Sequence, residues 1–155
     1  MMLTITTLTL AALHAHAREA YPDECCGMVI ERNAGQEAIR VTNVQNALHA
    51  QDPAQFPRTA RMAYTMGPDA APLLIAAERG ELTLRAFYHS HPDHDAYFSA
   101  EDRTQALGGW DEPNYPHAVQ IVMSVRDGEV GVTKGFAWDQ AARDYLEVEI
   151  VVQRE

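Results

Sequence analysis

A chain of 155 residues with 46% hydrophobic and 22% charged residues has the length and balance of one globular unit, so a single self-folding domain over residues 1–155 is expected. The formal net charge is -10 and Lys134 is the only lysine, which excludes the clustered basic residues that grip a phosphate backbone, so no nucleic acid partner is expected. Residues 1–7 lack the basic start and apolar core of a secretory signal, no apolar run approaches the ~20 residues of a membrane span, and the adjacent Cys25 and Cys26 make no disulfide framework. The expectation is a cytoplasmic, reducing location with no membrane partner.

The Ala- and Leu-rich run 7–20 predicts a first helix, ended by Tyr21-Pro22. Residues 25–31 and 38–44 are short apolar or alternating runs about Asn33-Ala34-Gly35, the pattern of a hairpin. Residues 46–66 hold two prolines and no clean period, and are expected to be irregular, the kind of segment that carries function. Pro68 opens and Gly80 closes a second predicted helix over 67–79. An alternating, aromatic strand follows over 82–91, then a third helix over 99–107 stopped by Gly108-Gly109. Residues 118–125 read as a buried strand, and 129–137 and 145–153 as two more. The sum is an α/β domain with a mixed central sheet of about five or six strands flanked by about three helices.

His89 and His91 are two apart on the strand 82–91, so both imidazoles leave the same face, with Cα atoms roughly 6.5 to 7 Å apart. Ser99 and Asp102 are three apart at the start of the third helix and lie on neighbouring positions of one face. Two imidazoles and a carboxylate leave a tetrahedral zinc ion one open position, as in catalytic rather than structural sites. Bound zinc lowers the pKa of its water and polarises a carbonyl, which yields nucleophile and electrophile together. Taken alone, Ser99-x-x-Asp102 also describes a helix N-cap with an acidic first turn, and Glu24 also describes a solvated loop carboxylate.

His89-Ser90-His91, seven residues, Ser99, two residues and Asp102 together resemble the signature of the JAMM (MPN-plus) metallopeptidases. The segment Tyr21-Pro22-Asp23-Glu24-Cys25-Cys26-Gly27 is similar to the one that carries that family's essential glutamate. The resemblance implies an MPN-like fold, one zinc per chain on His89, His91 and Asp102, Glu24 as general base and acid, and Ser99 as stabiliser of the oxyanion. The short chain and the wording around Cys25-Cys26 resemble the small prokaryotic members that process ubiquitin-like sulfur-carrier proteins. Hydrolysis of a peptide or isopeptide bond at such a protein's C-terminal tail is the implied function. A catalytically silent MPN-type scaffold that binds a ubiquitin-like protein or a partner subunit is the alternative, although such relatives typically lose ligands that this chain keeps.

Other zinc chemistries fail on residues: neither the H-x-E with P-C-x-x-C of deaminases nor the H-E-x-x-H of thermolysin-like proteases occurs. Cys25 and Cys26 read first as small core residues at the head of a strand, and His14, His16, His49 and His117 as structural or solvated. His94 reads as a surface histidine beside the site, while Tyr97, Phe98 and Trp110 fit a substrate groove or core packing equally.

Overall fold

A computed structural model describes residues 1–154. Its seven strands are β1 (Met2–Thr6), β2 (Cys26–Arg32), β3 (Gly35–Val41), β4 (Thr83–Pro92), β5 (Val119–Arg126), β6 (Glu129–Asp139) and β7 (Asp144–Gln153). Four α-helices join them: α1 (Thr7–Ala20), α2 (Gln45–Gln51), α3 (Ala71–Glu78, entered through a 3₁₀ turn at Pro68–Ala70) and α4 (Ala100–Leu107). No helix among the described residues is long and apolar enough to cross a membrane.

One mixed sheet runs in the order β1-β7-β6-β5-β4-β2-β3, with β4–β5 and β1–β7 parallel and the other pairs antiparallel. It curls until its edge strands approach each other. Gln36 of β3 closes the gap, accepting from the Thr6 N–H at 2.8 Å and donating to the Thr4 carbonyl at 3.1 Å. The two outer strands therefore satisfy backbone groups that an open edge would leave to solvent.

Alternation along the strands divides the core. Val29, Ala86, Tyr88 and Ile121 face α1, which buries Thr9, Leu13 and Ala17 at four-residue spacing. Met28, Ile30 and Phe87 face the other way, against Leu73, Leu74 and Ala77 of α3. On that second side α4 packs Leu107 near Trp138 and Tyr145. His89 and His91 continue the parity of Phe87 and so emerge on the α3 and α4 side, whereas Ser90 points with Tyr88 toward α1.

The expected helix 7–20 is α1, started by Thr6, whose hydroxyl accepts the Thr9 N–H at 3.1 Å. The hairpin turns through Asn33 and Ala34, both at positive φ (52° and 61°), the backbone of a tight turn between twisted strands. Three expectations change. The sheet has seven strands rather than five or six, because β1 adds itself in parallel to β7. The described residues form four α-helices rather than three. The segment 46–66 is not wholly irregular, since α2 occupies its first turns and the Asn43–Met66 bridge ties down its end. The cap of α2 left no ordinary trace in sequence: Val44 offers no side-chain oxygen, and Asn43 Oδ1 accepts the Gln45 N–H instead, at 3.1 Å.

Candidate metal centre

β4 ends at the site, α4 begins there, and the chain returns as β5 in parallel with β4. In such a crossover, side chains at the carboxyl end of the first strand meet the first turn of the helix. Ser99 caps α4 reciprocally: its Oγ accepts the Asp102 N–H at 3.0 Å, and Asp102 Oδ2 accepts the Ser99 N–H at 3.0 Å. The capping box thus fixes the Asp102 carboxylate in orientation as well as position.

His89 Nε2 lies 3.1 Å from His91 Nε2 and 3.1 Å from Asp102 Oδ1, and His91 Nε2 lies 3.2 Å from Asp102 Oδ2. All three residues are buried. His91 Nδ1 is 2.8 Å from the Asp95 carbonyl oxygen, which can only accept, so Nδ1 carries the hydrogen and Nε2 presents a lone pair. That lone pair, the Asp102 carboxylate and His89 Nε2 face one point, where the three together could hold a cation. Two ligand atoms about 2.0–2.1 Å from a tetrahedral zinc ion are about 3.3–3.4 Å apart, close to the separations here. The donor set and its geometry fit a metal ion.

Burial lowers the pKa of His89, against the pull of Asp102, and keeps the ring in the neutral form a metal requires. Burial alone would raise the pKa of Asp102, but its contacts to His89, His91 and the Ser99 N–H outweigh that effect and keep it ionised. Tyr64 stacks on His89 with ring centroids 4.6 Å apart, and Tyr97 meets His91 edge-on at 5.2 Å. Among the described residues His89 Nδ1 has no hydrogen-bond partner, so packing by Tyr64 rather than a second polar group orients this ring.

Glu24 reaches the centre through the sheet. Cys26 pairs with His89 in the antiparallel β2–β4 ladder, and stepping two residues outward brings Glu24 opposite His91. Its backbone is fixed on both sides, with the N–H donating to the Ala60 carbonyl at 2.8 Å and the carbonyl accepting from Asn43 Nδ2 at 2.9 Å. Glu24 as a whole is 7% exposed, so it is not the solvated loop group that sequence alone allows. Burial first, then the Asp102 charge, pushes its pKa up to about 9, with Arg58 pulling the other way. A divalent cation, if held by His89, His91 and Asp102, would act in the same sense as Arg58 and favour the ionised form of Glu24.

Glu24, His91, Ser99 and Asp102 share one cleft of about 440 Å³, walled by Arg58, Met62, Tyr64 and Tyr97 and open to solvent. The four residues singled out by spacing and Glu24, singled out by resemblance, therefore converge, His89 lying just beneath the cleft surface. His94 is exposed on the rim. Of the three flanking aromatics only Tyr97 lines the cleft; Phe98 packs into the core between Phe136 and Tyr145, and Trp110 is exposed elsewhere. Burial raises the Cys25 thiol to about 11 and the Cys26 thiol further, so neither is a ready nucleophile. His14 bonds Thr133, His16 bonds Tyr88, and His49 bonds the Phe56 carbonyl, all away from the ligands.

Comparison with known proteins places the chain in a family. A family model, Prok-JAB, described as prokaryotic homologs of the JAB domain, matches residues 7–139. The chain belongs to this family. Among solved structures, a protein from Desulfitobacterium hafniense is 22% identical, with a TM-score of 0.68, over 100% of this chain and 94% of that one. One from Salinibacter ruber is 25% identical, with a TM-score of 0.60, over 98% and 92%. A JAB1/MPN domain protein from Archaeoglobus fulgidus aligns at 15% identity and a TM-score of 0.47, over 97% and 99%. No curated protein matches the chain.

Within this JAB domain, sequence reasoning passed over Tyr64, Arg58 and Ser90. Tyr64 and Arg58 come from the segment 46–66, where no period or motif marks them, and only the return of that segment across β4 brings them to the ligands. Ser90, fully buried, accepts the Cys25 N–H on its Oγ at 2.9 Å and so secures the residue next to Glu24. Its position between the two histidines of the candidate site was the one available signal.

Proposed function

We propose that this JAB-domain chain is a zinc-dependent peptidase that cleaves a peptide or isopeptide bond at the C-terminal tail of a ubiquitin-like sulfur-carrier protein. The observation that carries the reading is the convergence of three ligating side chains on one buried point, with the Glu24 carboxyl in the same cleft. One zinc ion per chain on His89, His91 and Asp102 would supply a Lewis acid and lower the pKa of a water.

The chain's own residues divide the remaining work. Glu24 takes a proton from the attacking water and returns it to the departing amine nitrogen, a shuttle that suits a buried carboxyl held by its backbone at both ends. Ser99 Oγ accepts from the Asp102 N–H, which leaves the hydroxyl hydrogen free to donate to a developing oxyanion in the cleft. Tyr64 holds the His89 ring by stacking, and Asp95 fixes the tautomer of His91 through its carbonyl. The substrate class rests on the resemblance of the Pro22–Gly27 wording, together with a cleft large enough for a few residues of extended chain. The tail lies in the cleft by side-chain and polar contacts rather than by strand addition to β4, which is already paired on both sides by β2 and β5. No observation favours the silent scaffold, because every ligand is present.

Intact-mass spectrometry of a sulfur carrier bearing a C-terminal extension tests the reading, using zinc-loaded protein, Glu24→Gln and His89→Ala. The expected result is loss of the extension with the unmodified protein only, zinc retained by Glu24→Gln and lost by His89→Ala. Full turnover by Glu24→Gln overturns the base assignment. Failure of the zinc-loaded protein on extended carrier, isopeptide conjugate and free peptide alike overturns the peptidase.

A further inference from the structure

Beside the metal cleft lies a second pocket, of about 290 Å³, between α4, β4 and the loop 113–115. Tyr64 and Gln105 line both, so the two cavities are neighbours across a wall one side chain thick. One face of that wall is the Tyr64 ring that stacks on the ligand His89. The pocket is walled by Met66, Phe87, Ala106 and Tyr115, with Phe87 and Tyr115 meeting edge to face at 5.7 Å.

Two features set this pocket apart from the rest of the surface. Not one of its lining residues is charged, in a chain whose net charge is -10. Its lining also includes Gln120, 5% exposed, and Tyr145, 7% exposed, whose buried hydroxyl has only a marginal contact to the Gln120 side chain. A buried hydroxyl with so weak a partner gains from a better one, so the pocket has uncharged walls, more apolar than polar, and a polar group that a ligand can satisfy.

We infer that this pocket is a specificity subsite that receives one large neutral side chain, aliphatic or aromatic, of the polypeptide whose backbone crosses the metal cleft. The inference rests on the peptidase reading for the identity of the ligand as a polypeptide, and adds which residue of it is selected. Continuity through Tyr64 and Gln105 assigns both cavities to one ligand. Carboxylate and ammonium side chains are rejected, because the pocket has no counter-charge to offset their desolvation. A tyrosine-like tip adds a partner for the Tyr145 hydroxyl.

Capped nonapeptides of glycine and serine, each carrying leucine, tyrosine or aspartate at a single position, are the probe. With zinc-loaded protein, leucine or tyrosine at one position is expected to raise kcat/KM over aspartate by about ten- to one-hundred-fold, the discrimination that an apolar pocket gives. Ala106→Leu fills the pocket and should bring that ratio toward one with bound zinc unchanged. Tyr115→Ala removes a wall from an exposed loop and serves if Ala106→Leu does not fold. In parallel, NMR titration of zinc-free protein should show the leucine peptide, and not the aspartate peptide, shifting the amides of Ala106, Gly108 and Tyr115.

Hydrolysis of every peptide without preference, together with no selective shifts, overturns the subsite and leaves the peptidase standing. A preference that survives both variants also overturns it. Selective shifts at the pocket with no hydrolysis of any peptide support the subsite while the peptidase falls.

Discussion

Gly27 lies where the candidate base and the metal ligands are joined, and replacing it with alanine tests how rigidly that junction is built. A Cβ added there would sit 2.4 Å from the Ile39 carbonyl oxygen and 2.4 Å from two ring carbons of Tyr88. Neither neighbour can give way cheaply. The carbonyl belongs to β3, paired with β2 along its length, and Tyr88 is 1% exposed with its hydroxyl 2.7 Å from His16 Nδ1. Overpacking a tight core costs about 1–3 kcal/mol, and backbone contact on one side puts Gly27→Ala at about 3 kcal/mol or above. For a chain of this size 1 kcal/mol moves Tm by about 2–4 °C, so a fall of about 6–12 °C is expected in circular-dichroism melts with chelator present. The strands must part by about 1 Å at the pair adjoining Cys26–His89, and misplacement on that scale can cost about a hundredfold in turnover. Gly35→Ala is the control, because the nearest atom to its Cβ is 3.7 Å away. A Tm for Gly27→Ala within about 2 °C of the unmodified protein, or an equal loss in Gly35→Ala, would refute the reasoning.

Other perturbations probe single links of the site. Ser90→Ala leaves the buried Cys25 N–H without an acceptor and should cost about 1–3 kcal/mol in urea melts, while zinc content holds and kcat falls through the neighbouring Glu24. In zinc-free protein, burial raises Glu24 to about 9 from an unfolded value near 4.5, so the folded chain holds a proton that the unfolded chain releases. Stability should therefore decline as pH rises from about 4.5 to about 9, and Glu24→Gln should remove that decline, gaining up to a few kcal/mol on the unmodified protein at the alkaline end. An offset between the two that stays constant from acid to alkaline pH contradicts the assignment. Ser99→Ala should lose about 1 kcal/mol of cap energy, read as a Tm lower by about 2–4 °C, and also about a hundredfold in kcat. The melting shift without the kinetic loss reduces Ser99 to a cap.

The site's two pairs were legible because they are written in local periodicities. Two residues on a strand share a face, and a serine three before an aspartate at a helix start makes a cap, so the His89–His91 and Ser99–Asp102 pairs were legible locally, and the family signature they resemble joined them. Helix α1, the hairpin turn at Asn33-Ala34 and the buried strands β4 and β5 were legible for the same reason, each carrying its signal within a few residues. Glu24 was a different case: only its resemblance to a family segment distinguished it from a solvated carboxylate, and its burial opposite His91 comes from the β2–β4 register.

The rest needed tertiary structure. Strand β1 is five residues whose pairing partner, β7, lies at the other end of the chain, and no local pattern announces a parallel partner so distant. Helix α2 takes its cap from a neighbouring asparagine, and Tyr64 reaches His89 only after the segment 46–66 has folded back over β4. The sequence by itself placed His89 and His91 on one strand face and Ser99 and Asp102 on one helix face, since those placements depend on backbone repeat distances, while their joining into one candidate metal site rested on the resemblance to the family signature. Which side chains surround them was decided by the fold, because those contacts join residues far apart in the chain and exist only once loop closure has been offset by a shared core.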